Sequence, residues 1–350
     1  MDKYIERDTI SLINENLEIF EELKNKTIFI TGATGLIGSH LVFSLLKANE
    51  IYELNIKILA LVRNLKKAES LYSDYLSNNT HLEFIVGDIL NIPHVEDKVD
   101  FIIHGASVTS SAAFIEKPVD TIKVALSGTS NILDLAVQKQ VQSVVYLSSL
   151  EVYGVSENID VTEDKIGYID FLNPRSSYSE GKRMCENLCI AYSKQFNLPI
   201  KIARLAQTFG PGVDWNDNRV FAQFARSVIN KQDIILHTEG KTARNYCYTK
   251  DAITAILYIL LKGKSSEAYN VANEGTYVSI LDMAKLVANI EHSTPIKVIL
   301  DIKDSQALGY NPTVKIKLKT TKLEMLGWKA TVDLPNMYLN LISSLRNQVM

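Results

Sequence analysis

The sequence predicts an α/β protein, a doubly wound parallel sheet followed by a smaller C-terminal α/β lobe. Three observations predict it. Short β-rich apolar runs alternate with segments of helical spacing along most of the chain. The runs are continuously apolar, as strands covered on both faces are. A glycine-rich turn, with Gly32, Gly35 and Gly38, follows the first run and opens a helix-compatible stretch.

Composition narrows the class. The 350 residues are 46% hydrophobic and 22% charged, enough for one large domain and a smaller lobe. A net charge of -3 gives no pull toward nucleic acid or an anionic membrane. The three cysteines, Cys185, Cys189 and Cys247, form no CxxC pair and suit a reducing compartment. The N-terminus lacks a signal-peptide pattern, and the longest apolar run, 252–261, is too short to span a bilayer. The expectation is a soluble cytoplasmic protein with no membrane or nucleic-acid partner. The histidines are scattered without metal-ligand spacing, so no metal site is expected.

Residues 1–24 read as an added amphipathic helix, with Ile10, Ile13, Leu17, Phe20 and Leu23 on one face. Asp8 or Thr9 is expected to cap it, and the sheet edge or a neighbouring subunit to receive it. The first strand is 27–30. In the turn after it, Gly32 permits the tight bend, Gly35 lets backbone approach a pyrophosphate, and Gly38 lets the helix pack closely. With Thr34, Leu36 and Ile37 these residues form the expected dinucleotide cradle at a helix N-terminus. The second strand, 56–62, ends in Arg63, with no carboxylate for a ribose 2′-hydroxyl. Arg63, followed by Lys66 and Lys67, favours NADP(H); NAD(H) remains open. The third strand, 82–86, leads to Asp88 and Ile89, expected beside the adenine. The fourth, 99–104, leads to Ala106 and Ser107, small enough for a cofactor to cross the strand tips. A helix over 119–139 precedes a fifth strand, 144–147, which runs into Ser149 and Glu151.

Tyr178 and Lys182 share a helix face one turn apart. A nearby ammonium lowers a phenol's pKa, which would make Tyr178 a usable acid or base. Ser149 can hydrogen-bond the same substrate oxygen. Beyond residue 210 the pattern gives a turn-rich break and a helix over 220–229. Short strands follow at 232–236 and 241–248, then a helix at 251–261. A strand at 268–271 returns to the main sheet, and Ser279 caps a helix running to 288. Phe209, Trp215 and Tyr248 are aromatics able to stack on a nucleobase.

The stretches TGATGLIG, GDI, HGAS, SSLEVYG, YSEGK and RLAQTFGPG resemble the extended short-chain dehydrogenase/reductase family of nucleotide-sugar enzymes over about residues 26 to 345. The resemblance implies a Rossmann domain for NAD(P), at 25–210 with returning segments about 245–275. It implies a lobe for a nucleotide-linked sugar at 211–244 and 276–350. It also implies Tyr178 as the proton-transferring base, Lys182 as helper and ribose anchor, and Ser149 as hydroxyl partner. Within the family the likeness is strongest to UDP-glucuronate decarboxylases, through Glu151, Arg175, Arg219 and Arg244. Glu151 is implied in chemistry after C4 oxidation; Ser149, Arg175, Gln207, Arg219, Arg244 and Tyr248 in substrate binding. A homodimer through the two helices beside the sheet, and a role in capsule or surface polysaccharide synthesis, are implied likewise.

The chain departs from the family at five positions. Leu150 replaces the dehydratase aspartate. Gln207 and Ala125 stand where relatives carry Asn, Gly212 where decarboxylases carry Arg, and Arg63 where NAD-retaining members carry an acid. The leading expectation is a redox-neutral enzyme on a nucleotide-linked sugar, of decarboxylase or epimerase type. The alternative is an NADPH-dependent reductase of a nucleotide-linked keto-sugar, and a more distant one is an idle NADP-binding sensor.

Overall fold

The computed structural model describes residues 1–76, 80–156, 159–291, 295–303 and 313–349, with Ser111 described by its backbone alone. Seven parallel strands make the main sheet: β1 Thr27–Thr31, β2 Lys57–Val62, β3 Leu82–Val86, β4 Phe101–His104, β5 Ser143–Ser149, β6 Ile200–Leu205 and β7 Glu267–Val271. Their spatial order is β7-β6-β5-β4-β1-β2-β3. The winding reverses between β1 and β4, so their carboxyl ends open a crevice at the switch point. There Thr31 lies in register with Leu61 and His104, and Ser149 with Leu205.

Side chains alternate across each strand, which explains two apolar layers. Ile28 and Ile30 pack under helices α2 (Leu36–Tyr52) and α6 (Thr249–Lys262), whereas Phe29, Leu59 and Ile102 pack under α3 (Pro118–Lys139) and α4 (Ser177–Phe196). The strand returning at 267–271 joins the sheet as the pattern predicted.

The N-terminal helix differs from expectation. Helix α1 (Lys3–Glu15) starts earlier, capped by Asp2, whose Oδ1 accepts from Tyr4 N at 2.8 Å. Asp8 and Thr9 lie buried inside it. It rests on α2 and α6, on the face of the fold and not at the sheet edge.

A second sheet joins Asp160–Val161, Lys315–Leu318, Ala243–Tyr248 and Asn273–Ser279, with Gln207–Phe209 beside Ala243–Tyr248. Together with α5 (Val220–Ile229), α7 (Ile280–Ala288) and α8 (Leu334–Val349) it encloses a separate core around Phe209, Phe221, Tyr246, Met283 and Tyr338. Phe209 is thus a core residue, and Trp215 packs at the margin of the same cluster. The Asp160–Val161 strand belongs to this lobe although it precedes α4, because Lys317 pairs with Asp160 and Leu318 with Val161.

One buried polar network joins the layers. Arg204 on β6 donates from Nε and Nη2 to both oxygens of Glu186 on α4, at 3.0, 3.2 and 2.7 Å. Ser148 on β5 donates to Glu186 at 2.5 Å. Arg204 also donates to the Tyr153 hydroxyl at 3.0 Å, which donates to Asn270 at 2.5 Å. Asn270 in turn donates to the carbonyls of Val161 and Lys319 in the second sheet. Glu186→Gln leaves the Arg204 charge buried without its counter-ion, so we expect a loss of about 3–5 kcal/mol in urea unfolding. An unchanged midpoint would show that the pair carries no net stability.

Candidate active site

The glycine turn has the shape a pyrophosphate cradle requires. Gly32 adopts φ +72, and a Cβ there would meet Ala106 N and Gly105 C at 2.9 Å. A Cβ on Gly38 would run into the Gly32 carbonyl and come within 2.8 Å of the Ala33 Cα. Both glycines are therefore fixed by close backbone approach. Gly35 is the N-cap of α2, with no side-chain cap and no acidic residue in the first turn, so the positive helix end is left to a ligand. Thr34, Leu36 and Ile37 are only partly covered at this rim.

Thr31 shapes the neighbouring strand end. Its Oγ1 accepts from Gly105 N at 3.1 Å and Ala106 N at 3.0 Å, and bonds His104 Nδ1 at 2.8 Å. His104 Nε2 reaches Thr129 Oγ1 at 3.1 Å, and burial lowers its pKa to about 3, so the ring is neutral. Ser107 follows, its hydroxyl donating to the Val108 carbonyl at 3.2 Å. Asp88 Oδ1 accepts from Leu90 N at 2.9 Å, and Asn131 on α3 donates to the Ile89 carbonyl at 3.0 Å. Asp88 and Ile89 are thereby held near the end of β3. Arg63 is exposed at the end of β2 beside Asn64, the cap of the following helix. These residues form one ridge along the strand tips, and the cradle fits a dinucleotide.

Beside it, Tyr178, Lys182 and Glu186 recur at helical spacing on α4. Ser149 hydrogen-bonds Tyr178, whose phenol is pushed up to about 12 by burial and by the charge of Glu151, against the opposing pull of Ser149 and Arg219. This reverses the expectation that Lys182 lowers it. The Lys182 ammonium donates to the Leu147 carbonyl at 2.7 Å and stands 5.9 Å from the Tyr178 ring centre. Burial lowers Lys182 itself to about 8. Desolvation therefore outweighs the charge effect for both groups. Glu151, on the turn after β5, accepts from Ser179 at 3.1 Å, while Leu150 is buried and 6% exposed.

The arginines divide by partner. Arg219 at the start of α5 forks onto Asp217 at 3.1, 3.0 and 2.5 Å. Burial alone would raise the Asp217 carboxyl, but Arg219 outweighs it and holds it low. Arg175 lies over the Phe114 ring, 5.8 Å from its centre, and Arg244 is half-buried on its strand. Neither has a carboxylate partner among the described residues. Gln207 opens the short strand beside Tyr246 and is partly covered. Gly212 adopts φ +87, and a Cβ there would meet His40 Cε1 at 2.8 Å, so an arginine at this position would be strained and would have to displace the His40 ring.

Tyr248 is not brought into this group. It is 1% exposed in the small-lobe core, and its hydroxyl donates to Asp8 of α1, which also accepts from Arg7 at 2.7 Å. The ring supports the N-terminal helix, which explains why it cannot stack on a base. Conversely, Phe114, Thr31, Asn131 and Ser179 were not singled out from sequence. Of these only Thr31, at the tip of β1, carried a local signal.

Fold and site define a dinucleotide-binding α/β protein with a Ser–Tyr–Lys set at the strand ends. Residues 28–272 match the NAD dependent epimerase/dehydratase family, and the chain belongs to that family. It is 31% identical over 313 residues to UDP-glucuronic acid decarboxylase 6 of Arabidopsis thaliana, covering 89% of this chain and 86% of that protein. To UDP-glucuronic acid decarboxylase 1 of Xenopus tropicalis it is 29% identical over 320 residues, 91% of this chain and 72% of that one. The fold is similar to that of an epimerase from Methanothermobacter thermautotrophicus, with TM-score 0.79 and 20% identity over 96% of this chain and 97% of that one. It is also similar to UDP-glucuronic acid 4-epimerase from Bacillus cereus in complex with NAD, with TM-score 0.74 and 22% identity over 93% and 100%. No helix among the described residues is long and apolar enough to cross a membrane.

The buried lysines make a pH test. Lys182 and Lys201 are lowered by burial from 10.5 to about 8. Between these values the unfolded chain binds protons that the folded chain does not, so stability rises with pH across that window. Lys182→Met and Lys201→Met should each flatten the rise in denaturant melts. A slope unchanged in both variants would refute buried, poorly solvated ammoniums.

Proposed function

We propose that this protein modifies the sugar of a nucleoside diphosphate sugar by reversible hydride transfer at a carbinol, in a redox-neutral reaction of decarboxylase type. The observation that carries this reading is the Ser149–Tyr178–Lys182 set beside the glycine cradle. Held by Gly32, Gly35, Gly38, Ala106 and Ser107, NAD(P) would supply a hydride acceptor and, when oxidised, a positive charge. With the positive charge of the oxidised cofactor beside it to offset the burial and bring the phenol down, Tyr178 would take the proton of the substrate hydroxyl, and Ser149 would bond the same oxygen. Lys182 holds a buried positive charge nearby. A carboxylate β to a carbonyl leaves as CO2 with its bonding pair passing toward the carbonyl oxygen. That oxygen would be held by Tyr178 and Ser149. No acid is needed at position 150, in keeping with Leu150. Arg175, without a carboxylate partner, suits the sugar carboxylate, and Arg244, likewise without one, suits the pyrophosphate, whereas Arg219 is already forked onto Asp217. Glu151 with Ser179 is placed to manage a proton on the sugar ring. The UDP-glucuronic acid decarboxylase relatives support the same substrate class.

The test is incubation with UDP-glucuronate, following CO2 and the UDP-pentose. Tyr178→Phe should lower turnover by about 10²–10⁴-fold while dinucleotide stays bound. No CO2 release, with NADPH consumed on an added nucleotide-linked ulose, would replace this reading with the reductase.

We infer a preference for NADP(H) from Arg63, exposed at the end of β2. Arg63→Glu should weaken NADPH more than NADH in titration calorimetry; equal weakening would remove the preference. We further propose a cytoplasmic homodimer through α3 and α4, where Val119, Ile122 and Met184 are exposed. A monomer in sedimentation equilibrium would exclude the dimer.

A further inference from the structure

Tyr178 is held on a side that its hydrogen bonds do not reach. Its ring stacks on Phe114, with centroids 4.4 Å apart and planes 13° from parallel. The Arg175 guanidinium also lies over Phe114, 5.8 Å from the ring centre. Phe114 thus contacts both the phenol and the cation.

Phe114 sits on the short helix Ser111–Glu116, outside every motif of the chain, and is 2% exposed. Its backbone is fixed from both ends. Phe114 N donates to the Ser110 carbonyl at 3.3 Å, and the hydroxyl of Ser177, the residue before Tyr178, donates to the Phe114 carbonyl at 3.3 Å. Lys117 N donates to the Ala113 carbonyl at 2.9 Å and closes the turn. The platform is therefore bonded to the helix that carries the phenol.

We propose that Phe114 is a positioning residue, whose ring fixes the plane of Tyr178 and the guanidinium of Arg175 at once. The inference rests on the roles proposed above for these two residues. The physical reason is geometric. Ser149 fixes only the hydroxyl end of Tyr178, and a single hydrogen bond leaves the ring free to swing about its side-chain torsions. A near-parallel face at stacking distance removes that freedom. The same ring attracts the guanidinium of Arg175, 5.8 Å from its centre, and so ties its position to that of the phenol. Phe114 also covers the phenol from water and so contributes to the burial that keeps it protonated.

The experiment compares Phe114→Ala, Phe114→Leu and Phe114→Tyr in the full-length protein, against UDP-glucuronate. Dinucleotide binding serves as the measure of folding, and ultraviolet difference titration reads the phenolate of Tyr178, with Tyr178→Phe as reference. Phe114→Ala should lower kcat by about 10–100-fold, as a displacement of about 1 Å does. It should also bring the Tyr178 ionisation down in pH, with dinucleotide affinity kept. Phe114→Leu restores cover but not the flat face, so it should recover the titration and not the rate. Phe114→Tyr should recover both. Unchanged kcat in Phe114→Ala, or a faster enzyme with tighter dinucleotide binding, would make the ring filler or an obstruction and overturn the proposal. If no variant and not the parent turns over UDP-glucuronate, the substrate reading fails alone. The positioning role is then decided by crystal structures of the parent and Phe114→Leu: a Tyr178 ring turned out of its parent plane supports it, and an unmoved ring overturns it.

Discussion

The buried pair of Arg204 and Glu186 is the contact on which the geometry of the site depends. Two charges removed from water are tolerable only when each is fully bonded, and here both carboxylate oxygens and three guanidinium nitrogens are engaged. The pair fixes α4 against β6. Ser148 adds β5, and Tyr153 with Asn270 adds the turn after β5 and the second sheet. Glu186 lies four residues beyond Lys182 and eight beyond Tyr178, on one helical stripe. Residues 147, 148 and 149 at the end of β5 receive that stripe in turn, through the Leu147 carbonyl, the Ser148 hydroxyl and the Ser149 hydroxyl. Fixing α4 at Glu186 therefore sets the heights of Lys182 and Tyr178 above the strand ends.

A second constraint is the closeness of backbone to backbone at the crevice. Gly32, Gly38, Gly105 and Ala106 crowd until no Cβ fits on Gly32 or Gly38. Thr31 holds the crowding in place by accepting from two successive amides, and His104, neutral through burial, hands the contact on to α3 through Thr129. The cradle is thus part of the packed core and not an appended loop. A rigid cradle lowers the entropy lost when a long, flexible dinucleotide is ordered on it.

Much of this was legible in the sequence because it is local. Continuous apolar runs, a glycine turn between strand and helix, and a Tyr–Lys spacing each express a physical need within a few residues. The strands at 82–86 and 267–271, the helix at 220–229 and the Ser279 cap follow from such patterns. What was not legible is what distant residues share. The first turn of α1 shows little apolar spacing, so its start at Asp2 was hidden, and nothing near Tyr248 shows that its hydroxyl bonds Asp8. The expected lowering of Tyr178 by Lys182 failed for a related reason: spacing gives proximity along a helix but not burial. Here both side chains lie where loss of water outweighs their mutual effect.

The distribution of charge carries the functional argument furthest. Arg204 and Arg219 are chelated by carboxylates within the chain, so their charges are spent on structure and on orienting the start of α5. Arg175 and Arg244 are not. An arginine with no carboxylate beside it keeps its charge and its fork of donors free for an anionic ligand. One of the two lies over Phe114, the ring that stacks on Tyr178, and the other on the strand of the second sheet next to Asn245 and Tyr246. Two such sites, one against the reacting group and one in the second lobe, suit a ligand anionic at both ends. A sugar acid joined to a diphosphate has that form. A neutral sugar on the same diphosphate would leave Arg175 without a counter-charge, so the unequal pairing of these arginines favours an acidic sugar.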